Sequence, residues 1–264
     1  MVAVAGVFAA LAHSRLTLAL GAVYASAVIT LYQPPPAWGI SSLSPFCTKV
    51  ETYLRMVGLP FRTSGGDPRK NPKGKVPWIE EDGRMIADSS DILDYLKARH
   101  GDPLDADLGA EQRALAHLAR RLVEEHLYWV LVYGRWAEAE GFALTRSVFI
   151  PLFPKLIGGL IIRQIRKGML AQVHSHGVGR HDRADIYRRG AEDLAALSAL
   201  LGDRPYFLGE QPTSVDASIY AFTSAVWLHP ADNPLKRELG KTTNLVAYTE
   251  RMHSRYFAAP APGT

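Results

Sequence analysis

Cysteine is nearly absent from this sequence. Cys47 is the only one among 264 residues, so no disulfide can form within the chain. Structural disulfides are typical of oxidising compartments, and a chain without them fits a reducing compartment. The composition therefore favours a cytoplasmic location over an exported one.

Apolar runs long enough to cross a bilayer are also lacking. Residues 2–12 and 16–32 are apolar, but residues 13–15 separate them, and neither run reaches the roughly 20 residues of a membrane-spanning helix. Residues 25–27 are similar to a signal-peptidase site, although cleavage there would leave the first predicted strand at the mature terminus. We expect residues 1–27 to be an apolar leader or extension, with export or membrane contact through this segment as the alternatives.

Long blocks of one charge sign are missing too. The net charge is +4 and the isoelectric point is near 9.1, but no long run of Lys and Arg occurs. Chains that bind nucleic acid usually concentrate basic residues in patches, so we predict no nucleic-acid partner. The hydrophobic fraction of 47% and the charged fraction of 21% are those of an ordinary globular protein.

One short segment carries the clearest structural signal. Residues 28–32 form a β-branched run that predicts a strand, and a helix is predicted to begin at Ser44. Ser44 suits the N-cap and Pro45 the first helical position, while Gly58 and then Pro60 mark the end. This arrangement places the Ser44 hydroxyl beside free backbone N–H groups, at a site that favours anions such as a thiolate.

The order of predicted elements divides the chain into two domains. A strand, a helix, three strands and a helix fill residues 28–100, and helices fill residues 108–258 after a linker rich in Gly, Pro and Asp. Val76 precedes Pro77 in a predicted strand, where a proline implies an edge strand or a cis peptide bond. We expect an α/β domain, an all-α domain and a short tail at residues 259–264.

Four motifs resemble those of glutathione transferases and occur in the same order along the chain. They are SPFC at residues 44–47, NPKGKVP at 71–77, DSSDI at 88–92 and FLGEQPTSVD at 207–216. The likeness covers most of residues 28–257. It implies a thioredoxin-like, glutathione-binding domain followed by a helical bundle, with glutathione as co-substrate and a homodimer as the assembly.

A narrower likeness bears on activity. Residues 43–47 and 177–181 are similar to the failed axon connections branch, which is related to metaxins and is less clearly catalytic. The resemblance therefore implies a glutathione-dependent transferase acting on a small electrophile, or else a non-catalytic binding protein of the same fold that contacts a membrane through residues 1–27. A thiol–disulfide enzyme using Cys47 is a third hypothesis.

The transferase hypothesis needs a group that stabilises a thiolate. A thiol with a pKa of roughly 8.5 is mostly protonated at neutral pH, and the thiolate is the nucleophile. Ser44 matches the catalytic position of the family, although a plain N-cap explains the same residue, and Ser41 and Ser42 lie close enough to be rivals. Cys47 matches the buried partner in dithiol proteins of this fold and is otherwise a small core residue.

The remaining motifs predict a site for the glutathione peptide. Val76 would offer its backbone N–H and C=O to an extended peptide, provided that Pro77 is cis. Asp88 suits an ammonium and Ser89 a carboxylate, although both also suit the start of a helix. Lys75 either pairs with a ligand carboxylate or is solvated.

An aromatic stripe and a basic segment in the helical half each allow a structural or a functional interpretation. Trp129, Tyr133 and Trp136 share one helix face, which is either core or, at Trp129 and Tyr133, the wall of a substrate pocket. Residues 155–167 combine basic and apolar side chains, which fits a helix on a membrane surface and fits a bundle helix equally well.

Histidines also gather in one predicted loop. His174, His176 and His181 lie close in sequence, but no cysteine or carboxylate accompanies them at the spacing of a zinc site. We therefore predict a solvated loop and no metal ion.

Overall fold

The computed structural model describes residues 28–258, which form a four-stranded sheet followed by a bundle of helices. The leader at residues 1–27 and the tail at residues 259–264 lie outside the described residues. The expectations for those two segments stay predictions, as do the domain boundaries.

The N-terminal elements build a mixed sheet. They are β1 (Ile29–Gln33), α1 (Pro45–Val57), β2 (Phe61–Gly65), β3 (Trp78–Glu81), β4 (Arg84–Ala87) and α2 (Ser89–His100). Strand β1 pairs in parallel with β2 and antiparallel with β3, and β4 pairs antiparallel with β3, so the strand order is β2-β1-β3-β4. Parallel neighbours need a crossover connection, which α1 supplies. This confirms the predicted thioredoxin-like domain.

Helix α1 begins and ends where the sequence predicts. Ser44 is its N-cap residue and Pro45 opens it. Gly58 ends it with φ 70°, in the left-handed region that residues with a Cβ rarely adopt. Val50 and Leu54 on its inner face pack in the core beneath the sheet.

Helices make up most of residues 110–257, as predicted for the second domain. They are α3 (Ala110–Arg121), a π-helical turn (Leu122–Leu127), α4 (Tyr128–Trp136), α5 (Ala139–Phe149), α6 (Gly158–His176), α7 (Arg183–Leu201), α8 (Ser214–Trp227), α9 (Pro234–Lys241) and α10 (Thr243–Phe257). Helix α8 lies at the centre, and every residue from Val215 to Val226 is buried. A capping box opens it, since Asp216 accepts a hydrogen bond from the Thr213 amide at 2.8 Å.

One helix boundary differs from the sequence pattern. Apolar residues recur at helical spacing over residues 111–140, but a π-helical turn interrupts this segment, and its helix ends at Trp136 before the next begins at Ala139. Helix α5 then folds back so closely that a Cβ at Gly141 would lie 2.0 Å from the Gly134 carbonyl oxygen. The spacing of the aromatic residues does not indicate this contact, which depends on the absence of a Cβ at Gly141.

Helix α6 is also longer than predicted. It continues through His174 and His176, which the sequence pattern assigned to a loop. Gly177, with φ 107°, ends it, and its amide donates to the His174 carbonyl at 3.1 Å. The two histidines therefore project from the last turn of a helix.

Candidate active site

The first turn of α1 presents a hydroxyl that does not cap its own helix. Ser44 has extended backbone angles, φ −94° and ψ 118°, and its side chain makes no capping hydrogen bond. Its carbonyl oxygen accepts from the amides of Cys47 and Thr48, both at 3.0 Å. An N-cap role therefore accounts for the backbone of Ser44 but not for its half-buried hydroxyl.

One amide of this turn lacks a partner among residues 28–258. Pro45 has no amide hydrogen, and the two amides that follow Phe46 donate to the Ser44 carbonyl, which leaves the Phe46 N–H unpaired. A free amide at a helix N-terminus carries partial positive charge and favours an anion. The Ser44 hydroxyl and the Phe46 amide are thus two donors at one helix end.

Cys47 lies one turn into α1 and is fully buried. Burial raises the pKa of its thiol to about 12, although hydrogen bonds with the Ser44 and Ser42 side chains oppose the shift. The thiol is therefore protonated at neutral pH, and it is unreactive because the thiolate is the nucleophile. The geometry argues against the thiol–disulfide hypothesis.

A lysine shielded from solvent joins α1 to α2 and to the helical domain. The Lys49 ammonium donates to the Glu124 carboxylate at 2.6 Å, and to the hydroxyls of Ser89 at 3.2 Å and Ser90 at 3.3 Å. An ammonium has three N–H donors, so all of them are used. Burial lowers the pKa of Lys49, and the Glu124 carboxylate counteracts this shift. Glu124 also accepts a hydrogen bond from Ser218 at 3.3 Å.

This network sets the direction of the Ser89 hydroxyl. Because Lys49 can only donate, Ser89 Oγ accepts from it and keeps its own hydrogen for another partner. Ser89 is the first residue of α2, where backbone amides also favour an anion. A ligand carboxylate, the partner predicted for Ser89, suits both features.

The loop before β3 leaves a stretch of backbone unpaired. The Val76–Pro77 peptide is cis, one of the two arrangements that the sequence allows, and Pro77 lies just before β3 instead of inside it. Neither the N–H nor the C=O of Val76 is hydrogen-bonded within the described part of the chain. The Asp88 amide donates to the Pro77 carbonyl at 3.4 Å, which brings this loop to the start of α2. Backbone groups free in this way can pair with an extended peptide.

Asp88 and Lys75 are both exposed at the rim of this loop. One oxygen of the Asp88 carboxylate accepts from the Ser90 amide at 2.9 Å and so caps α2. Lys75 has no ion-pair partner within residues 28–258, whereas Lys73 nearby pairs with Asp91. Asp88 therefore caps α2. Binding of a ligand ammonium by Asp88 and of a ligand carboxylate by Lys75 stay predictions.

A buried arginine that the sequence pattern did not reveal holds the loop leading into Ser44. Arg135 donates to the Leu43 carbonyl at 2.6 Å and to the Ala225 carbonyl at 3.0 Å. Burial lowers the pKa of Arg135 to about 10, which leaves it charged at neutral pH. The positive charge of Arg135 is therefore held at the carbonyl of Leu43, the residue before Ser44.

The other end of this loop is fixed by a turn and a ring contact. Trp38 and Gly39 both have positive φ, 55° and 79°, in a tight turn closed by hydrogen bonds between Ala37 and Ile40. The Trp38 ring packs edge-on against His229 with ring centroids 4.6 Å apart. Burial lowers the pKa of His229 to about 3, so this contact involves a neutral imidazole.

The aromatic residues of the helical domain divide into two groups. Trp129 stacks on His176 at 4.8 Å, and Tyr133 packs edge-on against a tyrosine of α7. Tyr128 is the one that reaches α1, edge-on against Phe46 at 5.0 Å. The pocket role of Trp129 and Tyr133 stays a prediction, and Tyr128 joins them as a candidate that faces the first turn of α1.

Two kinds of feature are absent from residues 28–258. No three His, Cys, Asp or Glu side chains are grouped so as to hold a metal ion. No helix in this part of the chain is both long enough and apolar enough to cross a membrane.

Comparison with known proteins gives these features a family. Residues 45–141 match the family model of the glutathione S-transferase N-terminal domain, and residues 190–252 match that of the C-terminal domain. The chain is 36% identical over 247 residues to an isoprene-epoxide glutathione S-transferase of Rhodococcus sp. (strain AD45), covering 87% of this chain and 99% of that protein. The chain belongs to the glutathione S-transferase family.

The failed axon connections and metaxin branch is also represented among the relatives of this chain. Failed axon connections of Drosophila melanogaster is 32% identical over 248 residues, which are 87% of this chain but only 58% of that protein. Metaxin-3 of Xenopus laevis is 27% identical over 241 residues, 86% of this chain and 76% of that protein. A solved glutathione transferase from Phanerochaete chrysosporium shares the fold, with a TM-score of 0.65, 17% identity, and coverage of 89% of this chain and 100% of that one.

We expect Cys47 to resist alkylation in the folded protein. With its pKa raised to about 12, roughly one thiol in ten thousand is ionised at about pH 8. Mass spectrometry after treatment with iodoacetamide should show no adduct on the native protein and one adduct in denaturant. Because the chain has one cysteine, the count is unambiguous, and rapid labelling of the native protein would contradict the buried, protonated thiol.

We also expect Lys49→Met to destabilise the protein strongly, because it leaves the Glu124 carboxylate buried without its cation. Removing one partner of a buried pair lowers the free energy of unfolding by about 3–5 kcal/mol. The double variant Lys49→Met/Glu124→Leu should recover much of that loss, since no charge remains buried. Urea denaturation of each variant measures the difference.

Lys73→Met is the control for this series. It breaks the exposed ion pair with Asp91 and should change stability by less than about 1 kcal/mol. If Lys49→Met were no more damaging than Lys73→Met, the buried pair would not have the structural role assigned to it.

Proposed function

We propose that the chain is a glutathione-dependent transferase that joins the glutathione thiolate to a small electrophilic substrate. The observation that carries the proposal is the Ser44 hydroxyl, which is free of helix capping and adjoins the unpaired Phe46 amide. The identity of 36% to a relative named for isoprene epoxide and glutathione supports it and favours an epoxide as the electrophile.

The proposed chemistry depends on the first turn of α1. Ser44 donates its hydroxyl hydrogen to the glutathione sulfur, while the Phe46 amide and the helix dipole add partial positive charge. These interactions lower the pKa of the bound thiol, so that it loses its proton to solvent at neutral pH. The thiolate then bonds to one carbon of the epoxide, the carbon–oxygen bond breaks, and the alkoxide takes a proton from water.

The rest of the glutathione peptide is held by groups around the cis-proline loop. The Val76 backbone pairs with the extended peptide, Ser89 donates to a carboxylate, and Asp88 meets the ammonium. Lys75 lies at the rim with a free ammonium for a second carboxylate. The pocket for the electrophile at Trp129 and Tyr133, a homodimeric assembly and a cytoplasmic location complete the proposal.

The alternative is a non-catalytic binding protein of the same fold. Its support is the relation to failed axon connections and metaxin-3, whose names state no transferase activity. Membrane contact through residues 1–27 belongs to this alternative. It differs from the transferase in two measurable ways, because it requires neither glutathione binding nor a rate that depends on Ser44.

We expect Ser89→Ala to weaken glutathione binding about tenfold in calorimetry, because a charge-assisted hydrogen bond contributes about 1.5–3 kcal/mol. Ser90→Ala is the matched control, since Ser90 also accepts from Lys49 and its loss perturbs the same ammonium. Binding that weakens only in Ser89→Ala supports direct contact with the ligand. No binding by the wild type at millimolar glutathione would favour the binding-protein alternative.

Ser44→Ala should lower kcat/KM for conjugation about 10–100-fold, because the thiolate loses a hydrogen bond of about 1.5–3 kcal/mol. The pKa of bound glutathione, followed by thiolate absorbance against pH, should rise by about 1–2 units in the same variant. Ser41→Ala and Ser42→Ala test the rival serines, and Cys47→Ala should retain the rate. A Ser44→Ala variant with unchanged rate and unchanged thiol pKa would remove Ser44 from the mechanism.

A further inference from the structure

Exposed large apolar side chains gather at the beginning of α6. Leu156 is 99% exposed, Leu160 65%, Leu152 51% and Ile157 49%. We name these four side chains the α6 tip. Single exposed apolar residues are normal on a protein surface, whereas a group of neighbours marks an interaction site.

The tip is not the unburied remainder of an incomplete core. Helix α6 already has an inner face, where Ile162 and Val173 are buried in a cluster with Val132 and Trp136 of α4. Leu160 is two positions from Ile162 and so points to the other side of the helix. The exposed apolar surface of the tip is therefore not needed to complete this core.

The exposed row continues with basic side chains. Leu160, Arg163 and Lys167 recur at helical spacing and lie along one side of α6, and Lys155 and Leu156 lie in the turn that precedes it. Lys155 and Lys167 have no ion-pair partner among the described residues. Arg163 donates only to a carbonyl of its own helix, at 3.1 Å.

No acidic residue offsets this charge along the neighbouring chain. The sequence has no Asp or Glu between Glu140 and Asp182. Arg166 turns inward, donating to the Trp136 carbonyl at 2.8 Å, and does not add to the exposed row. The surface around the tip is therefore apolar at its end and positively charged along its side.

The charge of the basic side chains distinguishes between two possible partners of the α6 tip, a second copy of this chain and a lipid surface. In a symmetric contact between two copies, Lys155, Arg163 and Lys167 would approach their own equivalents, and like charges repel. An anionic lipid surface instead offers phosphates to the basic row and an apolar interior to the leucines. The combination favours the lipid surface.

We propose that the α6 tip docks on an anionic lipid surface. The four apolar side chains enter the interface, and Lys155, Arg163 and Lys167 contact headgroup phosphates. The long stems of Lys and Arg lie along apolar surface while their charges stay at the phosphate level. This docking uses residues 152–167 and is independent of the leader at residues 1–27 and of glutathione.

The test is co-sedimentation of the full chain with vesicles of phosphatidylcholine, alone or mixed with phosphatidylserine. The wild type should bind the mixed vesicles better, and added salt should weaken binding. Lys155→Glu/Lys167→Glu should reduce binding at least about tenfold, given roughly fivefold for each basic side chain near such a surface. Leu156→Ser/Leu160→Ser should reduce it by a similar factor, because two leucines no longer enter the apolar region. Thermal melting checks that every variant is folded.

Matched controls separate the tip from general surface properties. Leu118 is as exposed as Leu160, at 65%, so Leu118→Ser should leave binding unchanged. Arg121→Glu/Lys241→Glu alters the net charge by the same amount elsewhere and should also have little effect.

Three outcomes would overturn the proposal. The first is no binding to the mixed vesicles, or equal binding to neutral ones. The second is binding that both tip variants retain, which would assign it to another part of the chain. The third is a wild-type dimer in sedimentation velocity that Leu156→Ser/Leu160→Ser converts to monomer without altering vesicle binding, which would make the tip a contact between copies.

Discussion

The Lys49 ammonium and the Glu124 carboxylate meet 2.6 Å apart, with almost no exposure to solvent. Removing each charge from water costs several kcal/mol, about as much as their attraction returns, so such a pair adds little net stability. Its effect is geometric. Lys49 lies on α1 and Glu124 on the π-helical turn, and any shift between the domains would leave a charge unpaired. The hydroxyls of Ser89 and Ser218 complete the same network and are held with it.

A second buried cation acts on the same helix end from the other side. Arg135 is bonded to the carbonyls of Leu43 and Ala225, which are neutral acceptors, so its charge is not cancelled by these contacts. The field of a buried, uncancelled cation adds to that of the α1 dipole, and both favour negative charge near Ser44. The first turn of α1 is therefore prepared for an anion before any ligand arrives.

Patterns that depend on a few neighbouring residues were predictable from the sequence. Ser44 and Gly58 mark the ends of α1, and Asp216 closes the capping box of α8, because each acts on backbone within one turn. The cis peptide before Pro77 was one of two arrangements that the proline pattern allowed, and the resemblance to the family motif implied it. The mixed sheet then follows from the order of strands and helices.

The buried charges were not predictable in this way. Lys49 and Glu124 are 75 positions apart, and a charged residue in a helix is normally solvated. The sequence of α1 alternates apolar and polar residues as a helix with one solvated face does, whereas the structure buries every residue from Cys47 to Leu54, Lys49 included. The break before α5 was missed for a similar reason, since it depends on Gly141 meeting Gly134 in another helix.

The sequence alone does not distinguish an enzyme from a binding protein here. The reason is that the site is shaped by buried side chains, whereas the groups that could contact a peptide ligand belong largely to the backbone. The groups that shape the site, Lys49, Glu124 and Arg135, are buried and hydrogen-bonded, and they would be needed under either function. The groups available to a peptide ligand are largely backbone, at Phe46 and Val76, and backbone donors do not depend on which side chain a position carries. Only the Ser44 hydroxyl is a side-chain group whose presence distinguishes thiolate stabilisation from simple binding. The chemical question therefore reduces to whether that hydroxyl, which does not cap the helix, donates to the glutathione sulfur.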